Sequence, residues 1–148
     1  MKTILVAVDF SPVTTAVIEH ATRLAEAFSA AIWLLHVAEP EPDFVGYDTG
    51  TPDVRQQVAH DMRETHRRIQ EQTDQLRGRG IAATALQVQG AIVETILREA
   101  ARLKADCIVL GSHGHGMVHR ALLGSVSEGV LHRTACPLLI LPSRAAPQ

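Results

Sequence analysis

Gly111-Ser-His-Gly114-His-Gly-Met-Val-His-Arg-Ala-Leu-Leu-Gly124-Ser125-Val126-Ser127 is the stretch on which the reading of this chain turns. A short apolar run, Cys107-Ile108-Val109-Leu110, leads into it, and a helical pattern begins near Ser125. Glycines let a backbone turn tightly and come close to a ligand. A helix start offers unpaired N–H groups and the positive end of its dipole to an anion. Ser125 and Ser127 add hydroxyl donors at the same end, so strand, glycine segment and helix together describe a phosphate cradle.

Two better-known phosphate loops do not fit. GxxxxGK[ST] needs a lysine before the hydroxyl residue, and here Leu123 and Gly124 precede Ser125. GxGxxG fails because the run from Gly114 through Gly116 ends at His119. What remains is glycine, two residues, glycine, nine residues, glycine-serine.

Outward from this segment the chain alternates. Thr3 to Val8, Ala31 to Val37, Ala82 to Val88, Asp106 to Leu110 and Leu138 to Leu141 are short apolar, β-branched runs of the kind buried parallel strands show. Between the first two, Ser11 and Pro12 read as N-cap and first helical residue, followed by a stripe from Val13 through Val17, Ala21, Leu24 and Ala25 to Phe28. A Pro-, Asp- and Gly-rich loop runs from Glu39 to Gly50. Thr51-Pro52 then starts a polar helix whose thin stripe is Val54, Val58, Met62, Ile69 and Leu76, stopped by Gly78 and Gly80. A further helix carries Ile92, Ile96, Leu97, Ala100 and Leu103, and the last runs from Ser125 to about Thr134. Such alternation implies right-handed crossovers and an α/β fold, a parallel sheet with helices on both faces. The pattern alone leaves the strand order open.

The composition narrows the function. The 148 residues suit one domain, with an ordered core over 2–142 and a short tail from Ser143 to Gln148. Hydrophobic residues make up 46% and aromatics only 3%, so the core must be aliphatic. A net charge of −2 with interspersed arginines leaves no basic footprint for nucleic acid. No apolar run reaches the length of a membrane span and no signal-peptide pattern opens the chain, so the expected compartment is the cytoplasm. The two cysteines, Cys107 and Cys136, make no CxxC pair and read as buried, reduced thiols.

The spaced glycines with Gly124-Ser125-Val126-Ser127, together with Val8-Asp9-Phe10-Ser11 near the start and Cys136-Pro137-Leu138-Leu139-Ile140-Leu141 near the end, resemble the nucleotide-binding signature of the universal stress proteins. The resemblance covers essentially the whole chain. It implies a single, doubly wound, Rossmann-like domain akin to the adenine nucleotide alpha hydrolases, with five parallel strands in the order 3-2-1-4-5 and four helices. Its direction reverses between strands 1 and 4, where ligands of open α/β sheets bind. It further implies an ATP site, with Mg²⁺ expected on the phosphates, drawing on Asp9, Ser11, Val37, Ala38, Gly111, His113, Gly114, Gly124, Ser125, Val126 and Ser127. A homodimer joined through strand 5 (Leu138, Leu139, Ile140, Leu141) is implied as well.

Several of these residues have a second reading. Asp9 either accepts hydrogen bonds from a ribose or adenine edge, or approaches a metal on the phosphates, or merely organises the strand-to-helix turn. Val37 and Ala38, at a strand end, offer backbone groups to adenine as the resemblance implies. Ser125-Val-Ser-Glu128 is also a capping box, which would occupy the Ser125 hydroxyl; Ser127 reads as the freer donor. Arg120 reaches either a phosphate or solvent. His113, His115 and His119 raise the question of zinc, but no helical face gathers them, so no protein metal site is expected. Gly129 inside the last helix weakens it by up to ~1 kcal/mol relative to alanine. With no lysine for the β/γ-phosphates and no assigned base, the reading is a binding and regulatory module with slow or no hydrolysis and no catalytic residue. The alternatives are a nucleotide-free dimeric or chaperone-like scaffold, or a hydrolase with a base at Asp43 or Asp48.

Overall fold

In the computed structural model, which describes residues 1–40, 52–112 and 123–143, strand and helix alternate along the chain. The elements are β1 (Thr3–Ala7), α1 (Thr14–Phe28), β2 (Ala31–Ala38), α2 (Pro52–Gly78), β3 (Ala83–Gln89), α3 (Ile92–Leu103), β4 (Cys107–Gly111), α4 (Ser125–Arg133) and β5 (Leu138–Leu141). The five strands form one sheet in the order β3-β2-β1-β4-β5. Every neighbouring pair is parallel, with Ala7 opposite Leu35 and Val109 opposite Leu139. The expected topology therefore holds. Strand limits differ from the apolar runs by about a residue, because the ladder follows backbone pairing rather than hydrophobicity.

The sheet is dry on both faces at its centre. Ile4, Leu5 and Val6 on β1 are all fully buried, which is why that strand is apolar throughout rather than alternating. One face carries Ile4, Val6, Ile32, Leu34 and Val109 against Val17, Ala21 and Ala25 of α1 and Ile69 and Leu76 of α2. The other carries Leu5, Leu35, Ile108 and Leu110 against Ile96, Ala100 and Val130 of α3 and α4. Each such Leu, Ile or Val contributes about 1.5–3 kcal/mol of burial. On the thin stripe of α2, Ile69 and Leu76 are buried whereas Met62 is exposed; the Val54 side chain and Thr51 lie outside the described residues. Gly80, at φ +82°, takes the left-handed turn that ends this helix.

Three expectations are corrected. Ser11 is not the N-cap of α1, which begins at Thr14 with Val13 as its cap. The Asp9 carboxylate instead accepts the Ser11 N–H at 3.0 Å and the Thr14 hydroxyl at 3.4 Å, and the Ser11 carbonyl accepts the Thr14 N–H in a turn. Phe28 does not join the buried stripe but is 53% exposed at the end of α1. Cys107 is buried as expected, but Cys136 is only partly so; neither is in a disulfide. Gly129 gains an explanation: a Cβ there would lie 2.9 Å from Val93 Cγ2, so α4 and α3 approach closely only because the residue has no side chain.

Candidate functional site

Strand order reverses direction between β1 and β4, and the helices that follow them, α1 and α4, pack on opposite faces of the sheet. A cavity of about 390 Å³ opens there. Its wall on the α3 side is apolar: Leu35, Val37, Ile92, Ile96 and Leu110. Its far end is made of Gly111, Gly124, Ser125, Val126 and Ser127, and two carboxylates, Asp9 and Glu39, also line it. Among the described residues no lysine or arginine lines the cavity.

The glycine-serine end is built from backbone. The Gly124 N–H donates to the Ser112 carbonyl at 2.7 Å, which pins Gly124 in extended conformation as the N-cap of α4. The first intrahelical bond runs from the Glu128 N–H to the Gly124 carbonyl. The amides of Ser125, Val126 and Ser127 precede that bond, and the same three residues line the cavity. Ser125 is thus the first helical residue, not the cap, and the expected capping box is not formed. Its exposed hydroxyl makes no hydrogen bond among the described residues. Ser127 is corrected in the opposite sense. Its hydroxyl is buried and donates to the carbonyls of Gly111 (2.7 Å) and Ser112 (3.1 Å), so its single proton is committed to the protein.

At the other end, Val37 and Ala38 separate. The Ala38 carbonyl accepts the Gly90 N–H at 3.0 Å on the β3 side. Peptide groups alternate along a strand, so those of Val37 turn to the β1 side, where the ladder has already stopped at Ala7 opposite Leu35. Val37 lines the cavity and Ala38 does not.

Of the other residues singled out from the sequence, Asp9 lines the cavity while also holding the turn after β1. Ser11 lies outside it, 5% exposed and with no hydrogen-bond partner for its Oγ among the described residues. His113, Gly114, His115, His119 and Arg120 lie outside the described residues, as do Asp43 and Asp48. Sequence reasoning missed Glu39 and the role of Ile92 and Ile96. The two isoleucines were visible as a helical stripe, but nothing in that stripe says that its first turn overhangs a crevice. Among the described residues no group of three His, Cys, Asp or Glu is placed to hold a metal ion. No helix among them is long and apolar enough to cross a membrane.

Sheet order, crevice and helix start define a Rossmann-like α/β domain with a cavity at its switch point. The universal stress protein family model matches residues 1–142, and the chain belongs to that family. The "universal stress protein in QAH/OAS sulfhydrylase 3′ region" of Thermus aquaticus is 33% identical over 146 residues, covering 95% of this chain and 98% of its own. Among solved structures, hypothetical protein MJ0577 is 24% identical and shares the fold with a TM-score of 0.83 over 98% of both chains. A universal stress protein in complex with cAMP has a TM-score of 0.71 at 22% identity, covering 97% of this chain and 98% of that one. One from Archaeoglobus fulgidus in complex with dAMP has a TM-score of 0.67 at 19% identity, covering 95% and 97%.

Proposed function

We propose that this chain is a regulatory, stress-response module of the cytoplasm that binds ATP with Mg²⁺ and hydrolyses it slowly or not at all. The observation that carries the reading is the two-ended cavity, with an apolar wall and the Val37 peptide at one end and the first amides of α4 at the other. Leu35, Ile92, Ile96 and Leu110 suit a purine face, and Val37 backbone groups suit its polar edge. Asp9 suits ribose hydroxyls, and the amides of α4 with the Ser125 hydroxyl suit phosphate oxygens. Gly111 lines the same end; for His113 and Gly114, outside the described residues, a phosphate role rests on the family signature alone. Two proteins of this fold are seen with cAMP and dAMP, which share an adenine and a phosphate with ATP.

A polyphosphate beside Asp9 and Glu39 needs a counter-charge. The described residues fit a Mg²⁺ carried on the phosphates with most of its waters, since they offer isolated carboxylates rather than a cage. Bound there, the ion supplies charge neutralisation; Asp9 and Glu39 are the groups available to its water shell. Turnover is disfavoured because Asp9 is engaged with Ser11 and Thr14, and no histidine among the described residues lines the cavity.

The edge position of β5 supports a homodimer. Leu138, Leu139 and Ile140 are only partly buried on a strand with no second neighbour among the described residues, and a two-fold copy would cover its open side.

Calorimetric titration with ATP, AMP and GTP in Mg²⁺ tests the reading: the adenine nucleotides are expected to bind one per chain and GTP not. Absence of binding by either adenine nucleotide, or phosphate release near the enzyme median of about 10 s⁻¹, would overturn it. Sedimentation at micromolar concentration tests the dimer, with Leu139→Asp expected to yield monomers.

A further inference from the structure

β1 and β2 part at the cavity because a side chain takes the place of a ladder bond. Their last opposed residues are Ala7 and Leu35, and the Val8 N–H still donates to the Leu35 carbonyl at 2.9 Å. In a regular parallel ladder the next bond would run from the Val37 N–H to the Val8 carbonyl. That carbonyl is instead 2.9 Å from Nδ1 of His36. A carbonyl only accepts, so Nδ1 is the protonated ring nitrogen.

His36 approaches from the reverse of the sheet. It follows Ile32 and Leu34 on the α1/α2 face, whereas Val37 faces the cavity. Its ring lies 5.2 Å from that of Phe10, and the Arg68 guanidinium carbon sits 4.3 Å from the Phe10 ring centroid. Phe10 itself is held at φ +59°, a left-handed conformation that a bulky residue keeps only where its surroundings enforce it. Guanidinium, phenyl and a tilted imidazole (39° between the rings) thus form a line of contacts that braces the turn after β1 and ends on the Val8 carbonyl.

We propose that His36 is a positioning residue for the cavity: by occupying the Val8 carbonyl it leaves the Val37 N–H without a strand partner and presented to the edge of an adenine ring. The base-recognition half rests on the nucleotide reading above. An N–H donor beside a C=O acceptor matches adenine, whose N1 accepts and whose N6 donates. Hypoxanthine reverses both groups. His36 therefore sets the preference for adenine over hypoxanthine without touching either.

The test is amide hydrogen exchange by NMR on the nucleotide-free full chain, with calorimetry of AMP and IMP binding. Three proteins are compared: wild type, His36→Val, which cannot donate, and His36→Asn, whose Nδ2 donates from the same branch position. In the wild type the Val37 amide should exchange faster than that of Leu35. In His36→Val it should fall back onto Val8 and become about tenfold more protected, as one net hydrogen bond requires, and the preference for AMP over IMP should fall toward one. His36→Asn should keep both wild-type behaviours. A Val37 amide as protected as Leu35 in the wild type overturns the proposal without any variant. So does unchanged protection or unchanged preference in folded His36→Val. Exchange behaving as expected with no AMP binding to wild type would overturn the nucleotide reading and still support the hold of His36 on Val8.

Discussion

The hydroxyl of Ser127 donates to the carbonyl of Gly111 across 2.7 Å, tying the first turn of α4 to the last residue of β4. A side chain thereby joins the end of the strand to the start of the helix. Ser125, two residues earlier, has the same chemistry and points away from such work. Ser127→Ala should lower the unfolding free energy by about 1–2 kcal/mol, since the Gly111 carbonyl loses its hydroxyl donor in a buried place while that of Ser112 keeps the Gly124 N–H, and should weaken ATP binding through a looser start of α4. Ser125→Ala should leave stability within ~0.5 kcal/mol and reduce ATP affinity by a few-fold. Urea unfolding and calorimetry on the two variants separate the roles; equal stability losses would remove the distinction.

Gly129 and Val93 make a coupled pair. Alanine at 129 gains up to ~1 kcal/mol in helix propensity, but its Cβ would meet the branched, stiff Val93 side chain at 2.9 Å. Gly129→Ala alone should therefore destabilise by about 1–3 kcal/mol, the range for overpacking. In a Val93→Ala background the same change should be neutral or stabilising. A double-mutant cycle by denaturant unfolding reads the sign change, and additive effects would show that the helices simply shift apart.

Asp106 pins the start of β1. Its Oδ2 accepts the N–H groups of Lys2 (2.6 Å) and Thr3 (3.0 Å), and these bonds hold its carboxyl below the ordinary carboxylate range. A folded pKa below the unfolded one, which lies near ~3.9, means stability present above that value and lost as pH falls through the folded pKa. Asp106→Asn should thus melt at a lower temperature than wild type at pH 7. The gap should narrow below about pH 4. Melting curves from pH 2 to 7 check this, and a gap that widened in acid would contradict it.

The two thiols should differ in reactivity. Burial pushes the Cys107 thiol up, and the neighbouring Cys136 adds to the shift. Thiolate is the reactive form, so Cys107 in the native protein should resist alkylation at pH 8 while the partly exposed Cys136 reacts first. Peptide mapping after a brief iodoacetamide pulse distinguishes them. In denaturant both should react.

Much of this architecture was legible in the residues, and the misreadings share a cause. The strands could be read from apolar runs because a doubly covered strand leaves little room for anything else. Strand order came from the family resemblance, since periodicity carries no information on neighbours. The cap assignments went wrong at Ser11 and Ser125, although the last helix does begin at Ser125 as expected. A serine placed ahead of a helix looks like a cap, yet Asp9 had taken the Ser11 N–H, and the bond from Gly124 to Ser112 had already set the cap one residue earlier. Of the glycines and serines singled out, Gly111, Gly124, Ser125 and Ser127 line the cavity and Gly114 lies outside the described residues, but which serine faces outward depends on the carbonyls at the end of β4. Ile92 and Ile96 stayed hidden because a helical stripe does not show which neighbour it overhangs, and Glu39 because it reads as the first residue of a polar loop after β2. His36 looked like one more residue of an apolar strand.

Ser112 is where two otherwise separate parts of the molecule meet. Its N–H donates to the Leu141 carbonyl at 2.7 Å, its carbonyl accepts the Gly124 N–H at 2.7 Å, and its hydroxyl accepts the Ser143 N–H at 3.0 Å. One residue is therefore bonded at once to the end of the edge strand and to the N-cap of α4, beside the cavity. Linkage makes any traffic through it symmetrical: if filling the crevice tightens association of two chains by some factor, association must tighten filling by the same factor. A chain that counts copies of itself would then also be sensing how much nucleotide surrounds it.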